Sequence, residues 1–352
     1  MNPIPRRRFL VTTAAALAAP NILTSAKSGP PPEIVGHGTH RYRVERNWSK
    51  ADHTKVPLRD CHEMIQSADE RLFLLTNQVK NNILVYDTKG NLLNHYTHKM
   101  TAAHGLTLSR ENGAEYLYVT CNSGRVIKTD LDGKVIMELP KPQEVGAYDE
   151  YSKYVPTETA VTPNGDIYVI DGYGSQFIIQ YSREGKFIRK FGGRSSLPDN
   201  TGKFMQAHGI AIDLRGSEPL LVCTARIRNE FTWFTLKGEY LRSVYLPGAF
   251  VSRPVIKGDH LYSGVCFGYK ENDYRMWKNR GFIVILDKDN KLVSCPGGAA
   301  PSYSADGKLL PLMKQGDLVT HGHDVCIDEQ ENLYLCQWSA GKVPPYKLHR
   351  IN

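Results

Sequence analysis

Residues Thr157 to Gly192 read TETAVTPNGDIYVIDGYGSQFIIQYSREGKFIRKFG, and this stretch decides the fold. It holds four alternating runs, TETAVT, DIYVID, FIIQYS and KFIRKFG, with turn signals at Asn164-Gly165 and Glu184-Gly185. Period-two alternation cut by turn dipeptides predicts short antiparallel strands. Comparable units recur about every 40 to 55 residues, the period of a repeat architecture. Three strands in other units begin with histidine: His104 in AAHGLTL, His208 in QAHGIAI and His323 in HGHDVCID, spaced by 104 and 115 residues (208−104 and 323−208). They therefore fall on every second unit. In a six-bladed β-propeller the first strand of each blade lines the central channel, so alternate blades aim equivalent side chains at the axis from directions about 120° apart. Three converging imidazoles form an open metal site of the zinc type.

Working outward, blade one is expected from about Cys61 through LFLLT and ILVYD, and blade two from His104 through YLYVT and RVIKTD. Blade four starts at His208 and ends near Tyr245, a looser blade five spans about Arg253 to Cys295, and blade six runs from His323 to the closing strand Tyr346 to Ile351. Tyr269 to Lys278, with Trp277, reads as an aromatic and charged insertion in blade five, either a loop over one face or a solvated hairpin tip. The segment Tyr42 to Trp48 alternates but has no evident hairpin partner. In a closed ring it belongs on the outside of the last blade, joining the two ends and hiding a sheet edge. The fold class is all-β, a six-bladed propeller over residues 39–352.

The 352 residues are 41% hydrophobic with 30 Gly and 20 Pro, which suits one large, turn-rich all-β domain. No apolar run after the N-terminus is long enough to span a membrane. Arg6, Arg7 and Arg8 precede Phe9, Leu10 and an alanine-rich stretch to Pro20, then Thr24-Ser25-Ala26. This is the pattern of a twin-arginine signal peptide over residues 1–26, and it implies a periplasmic or secreted protein. Residues 27–38 read as an extended lead-in. Loss of residues 1–26 removes three positive charges and no negative ones, so the formal +8 becomes about +5 (8−3). Basic residues are interspersed with acidic ones, which leaves nucleic-acid binding without support. A monomer is expected. Seven cysteines without a CxxC pair allow disulfides but do not define them; Cys326 and Cys336, on two strands of one hairpin, are the candidate pair.

Two more histidines stand near the three. His62 takes the matching place in blade one, and His321 precedes His323 by two residues, on the same side of an extended strand. Either could add a ligand or only line the channel.

The repeats resemble NHL repeats. The run HGLTL, PTETAVTPNGDIYVIDGYGSQFIIQYSREGKFIRKFG, AHGIAIDLR, ARIRNE, HDVCID is similar in order and spacing to the lyase domain of peptidylglycine α-amidating enzymes, over roughly residues 60 to 350. That resemblance implies a catalytic zinc on His104, His208 and His323. It also implies a channel calcium on the main-chain carbonyls of Met64 and Leu106 and the carboxylate of Asp324. It carries a catalytic tyrosine onto Tyr173 in IDGYGS and an arginine onto Arg226 in CTARIRN. The implied reaction is cleavage of a carbinolamine C–N bond in a small or peptide substrate with an anionic group, releasing an amide and glyoxylate. Tyr173, with a depressed pKa, would act as base or acid, and Arg226 would hold the anion. The sequence departs from the pattern at Asn77, where a substrate-contacting arginine is expected, at His321 in place of a methionine, and at Gly174, Val222 and Trp233 in place of cysteines. A metal-dependent hydrolase or lyase on another hydroxylated or carbohydrate-like substrate, and a non-catalytic binding propeller, remain alternatives.

Overall fold

A computed structural model describes Met1, residues 32–195 and residues 201–351 of the chain. The expected signal peptide, apart from Met1, and residues 27–31 of the expected lead-in lie outside the described residues. From Glu33 onward six antiparallel sheets follow one another along the chain. The protein is an all-β six-bladed propeller. Blade three has the register its sequence implies, with Thr159 opposite Val169 and Val169 opposite Ile179. Gly165 sits at φ 93° in the first turn, a conformation that costs glycine little.

Blades pack face to face through apolar layers. Between blades one and two, Phe73, Leu75, Ile83 and Val85 meet Leu106, Leu117, Val119 and Ile127, all buried. The ring closes in blade six, whose order from the axis outward is Gly322–Ile327, Leu333–Gln337, Tyr346–Ile351, His40–Glu45 and Ile34–His37. Tyr42 stands opposite Arg350 and Val44 opposite Leu348, so the segment near Tyr42 closes the ring from outside the C-terminal strand. It does have a hairpin partner, because Ile34–His37 pairs with it across a two-residue turn. The end of the expected lead-in is therefore a fifth strand of blade six, covering what would otherwise be an open edge.

The aromatic insertion of blade five is a hairpin, with Asp273–Trp277 pairing back onto His260–Lys270. All seven cysteines are free and buried. Cys326 faces Tyr334 and Cys336 faces Asp324, so the expected pair is offset along the hairpin rather than opposed. Among the described residues no helix is long and apolar enough to cross a membrane.

Candidate metal centre

The innermost strands of four blades bring His62, His104, His208 and His323 to the axis, and Thr157 and Ser252 stand next to the innermost strands of blades three and five. In the four blades that contribute histidine, the ladder slips at that residue. Register shifts fall between Cys61 and Glu63, Ala103 and Gly105, Ala207 and Ile210, and Gly322 and Asp324. A bulge leaves one residue unpaired and re-aims its side chain, which here turns the imidazole into the channel. Ring centroids lie 4.8 Å apart for His104 and His208, 4.8 Å for His104 and His323, and 4.9 Å for His208 and His323. His62 joins them, 4.6 Å from His323 and 5.0 Å from His104. Candidate ligand atoms of His62, His104 and His323 lie within 4.8 Å of one another.

Hydrogen bonds orient two of the rings. His104 Nδ1 donates to Thr157 O at 2.9 Å and His323 Nδ1 donates to the His62 carbonyl at 2.9 Å, leaving both Nε2 atoms as acceptors facing the axis. Both nitrogens of His208 and Nε2 of His62 are buried with no protein partner. Burial drives the pKa of all four imidazoles down, that of His62 to about 3. For His104, His208 and His323 the neighbouring rings and the Arg226 guanidinium add to the effect. Neutral imidazole is the metal-binding form. Orphaned nitrogens on a converging, neutral set fit a divalent ion that accepts nitrogen ligands.

His321 is not part of this cluster. Its Nε2 accepts from the Asn279 amide at 3.0 Å and its Nδ1 donates to Trp338 O at 3.1 Å, while its ring packs on Phe267 and Trp338. It lies before the bulge at His323, which breaks the simple two-residue alternation that would have put both rings on one side.

The channel opens above the imidazoles into a pocket of about 410 Å³ bordered by Arg59, Asn77, Tyr173, Arg226, Phe267 and Trp338. Tyr173 and Arg226 both sit between the second and third strands of their blades. The Tyr173 loop is held by Asp171, whose carboxylate accepts from Val155 N and Ser175 N at 2.6 Å and from the Tyr148 hydroxyl at 2.9 Å. Although 37% of Tyr173 is exposed, its hydroxyl turns inward and donates to His104 Nε2 at 3.2 Å. Burial raises its pKa, offset in part by Arg226, so the expected depressed phenol is replaced by a protonated one. Arg226, in a 3-10 turn Arg226–Arg228, is fixed by Nε to Val251 O at 3.2 Å and by Nη2 to Ser252 Oγ at 3.0 Å. The Asn77 side chain is tied to Asp60 in both directions, at 3.0 and 2.9 Å, and cannot replace an anion-binding arginine. Arg59 is an exposed cation at the same mouth.

Below the imidazoles the expected calcium ligands are in place but occupied. The guanidinium of Arg253 reaches Asp324 Oδ1 at 3.0 Å, Asp324 Oδ2 at 2.8 Å, Leu106 O at 3.0 Å and Met64 O at 3.2 Å. Those oxygens already hold a cation, and the set does not fit calcium. Glu63 and Glu158 complete the layer. Burial raises both carboxyls, Glu63 further because Glu158 stands beside it. Glu158 Oε2 has no hydrogen-bond partner there. Sequence reasoning missed Arg253, although a signal was present: the residue after each axial position reads Glu63, Gly105, Glu158, Gly209, Arg253, Asp324, glycine in two blades and charged in four.

The fold and centre define a propeller with an axial imidazole cluster. No known protein-family profile matches the chain. Over 128 residues it is 27% identical to a probable peptidyl-α-hydroxyglycine α-amidating lyase of Caenorhabditis elegans, covering 36% of this chain and 35% of that protein. The chain thus matches about a third of that relative's length. Among solved structures, a streptogramin B lyase superposes with a TM-score of 0.55 at 15% identity, covering 88% of this chain and 97% of the other. The hydrazine synthase of Kuenenia stuttgartiensis gives 0.54 at 12%, covering 87% and 99%. A catalytically inactive virginiamycin B lyase of Staphylococcus aureus with quinupristin gives 0.51 at 15%, covering 89% and 88%. At these identities the structural matches speak for the fold alone.

Proposed function

We propose that the chain is an exported, metal-dependent lyase that cleaves a carbinolamine-type C–N bond, as in an α-hydroxyglycine amide, to give an amide and glyoxylate. The observation that carries this is the cluster of four neutral imidazoles, three of whose nitrogens have no protein partner, with His62, His104 and His323 lining a pocket shared with the Tyr173 hydroxyl and the Arg226 guanidinium. His104, His208 and His323, with His62 beside them, would hold zinc or a similar divalent ion. Such an ion supplies Lewis acidity that favours loss of the substrate hydroxyl proton. Tyr173 is protonated and at present hydrogen-bonded to His104 Nε2; once that nitrogen is engaged elsewhere, the phenol is free to give its proton to the departing nitrogen. Arg226 is buried and locked by two hydrogen bonds, which suits it to fix an anionic group with little entropy cost. The departure at Asn77, already committed to Asp60, favours a second reading in which the same centre acts on another hydroxylated substrate.

Elemental analysis of the purified protein, followed by a glyoxylate assay with a hydroxyglycine derivative, tests the proposal. About one divalent ion per chain and metal-dependent glyoxylate release are expected. Metal without release favours the second reading, and absence of both leaves a binding propeller.

A further inference from the structure

The layer beneath the imidazoles is built from the residue that follows each axial position, and two glycines make it possible. A Cβ on Gly105 would lie 2.5 Å from Thr157 O and 3.0 Å from the Glu158 Cα, and one on Gly209 would lie 2.6 Å from the Arg253 Cα. Side chains at those two places would collide with the backbone beside Glu158 and Arg253. Into the space they leave, Arg253 extends from blade five, between the strand pieces Ala249–Val251 and Val255–Lys257, with Pro254 fixing the chain that follows. Its Nε and Nη2 take both oxygens of Asp324 from blade six, Nη2 also takes Met64 O from blade one, and Nη1 takes Leu106 O from blade two. Glu63 Oε2 stands 3.7 Å from Nε. Asp324 Oδ2 also accepts from the Met64 amide at 2.9 Å, and Glu63 Oε2 from the Leu106 amide at 2.6 Å. Both of those inner strands are therefore held to the layer through N–H as well as C=O.

We propose that Arg253 is a built-in channel cation, whose guanidinium ties blades one, two, five and six through the two carbonyls and the carboxylate that a calcium ion would otherwise need. Calcium requires six to eight oxygens at about 2.3 to 2.6 Å; here the same oxygens are committed to charge-assisted hydrogen bonds from a planar fork. Guanidinium stays protonated at any pH the fold survives and, being covalent, cannot be diluted or chelated away. The ring is thereby independent of free calcium, and among the described residues the centre left for a chelator to empty is the imidazole cluster above. This inference stands on the Arg253 geometry and holds whether or not the protein is a lyase.

The test uses the full chain as purified. The unaltered protein is expected to contain no stoichiometric calcium and to unfold at the same temperature with a calcium-selective chelator or with millimolar calcium. Arg253→Ala frees the oxygens, so its unfolding temperature should fall by several degrees and rise again with added calcium. Arg253→Lys keeps the charge without the fork and should unfold between the two with no response to calcium, which preserves the test if the alanine variant does not fold. Stoichiometric calcium in the unaltered protein, a chelator-induced fall in its unfolding temperature, or an unchanged temperature in either variant would overturn the assignment.

Discussion

Two polar layers stack on one axis, one residue apart in every blade, yet they differ in a way that separates a site from a scaffold. The upper layer has four imidazoles, three of whose nitrogens lack any protein partner although buried. The lower layer has a cation, Arg253, whose donors meet Asp324, Met64 and Leu106. Buried polar atoms are nearly always satisfied, so the unfinished layer is the one that awaits a ligand. The lower layer, where Glu158 Oε2 alone is left without a partner, is already ion-paired, and breaking a buried pair strands a charge.

The largest effect expected from this contrast is on stability. Asp324→Ala removes the partner of Arg253 and should cost about 3–5 kcal/mol in denaturant unfolding, whereas His208→Ala, whose ring nitrogens have no protein hydrogen bond, should cost clearly less in metal-free protein. The reverse order would break the distinction between the layers. Metal content should behave oppositely: His208→Ala, His104→Ala and His323→Ala are each expected to lose most of the bound divalent ion, measured by elemental analysis.

Next comes turnover. Tyr173→Phe deletes one oxygen from the rim of the upper layer and should lower glyoxylate release by about 10²-fold or more, with metal content and unfolding temperature kept. Turnover equal to the parent would remove the phenol from the chemistry.

The smallest effect concerns an imidazole in neither layer. His40, on the closing strand, is held down to about 4 from 6.5, first by burial and then by His260 and Arg350. The unfolded chain therefore binds more protons between those values, and the stability His40 contributes above pH 6.5 is lost as pH falls through the window toward 4. Unfolding temperatures from pH 7 to 4 should decline less steeply in His40→Gln than in the parent; equal slopes would show that the closure does not sense acid.

The resemblance read from the residues and the partial match to an amidating lyase point the same way. The resemblance rests on segments around the axial strands, where local pattern is strongest, and less on the pocket rim, where Asn77 is bound to Asp60 and Arg59 stands in the open.

Alternation and turn dipeptides are local, so the blades, their order and the closing strand near Tyr42 could be read from the chain by itself. Matching positions in alternate repeats put His104, His208 and His323 on the axis for the same reason. What the sequence could not decide was how residues far apart in the chain share atoms. The bulge at His323 sends His321 into the wall against Asn279 and Trp338, and the bulge at His62 brings a fourth ring to the centre. Arg253 meets Met64 across 189 residues and Leu106 across 147. No local period encodes those contacts, and only closure of the ring, which brings the inner strands of all six blades to one axis, determined that the cation of the lower layer is an arginine.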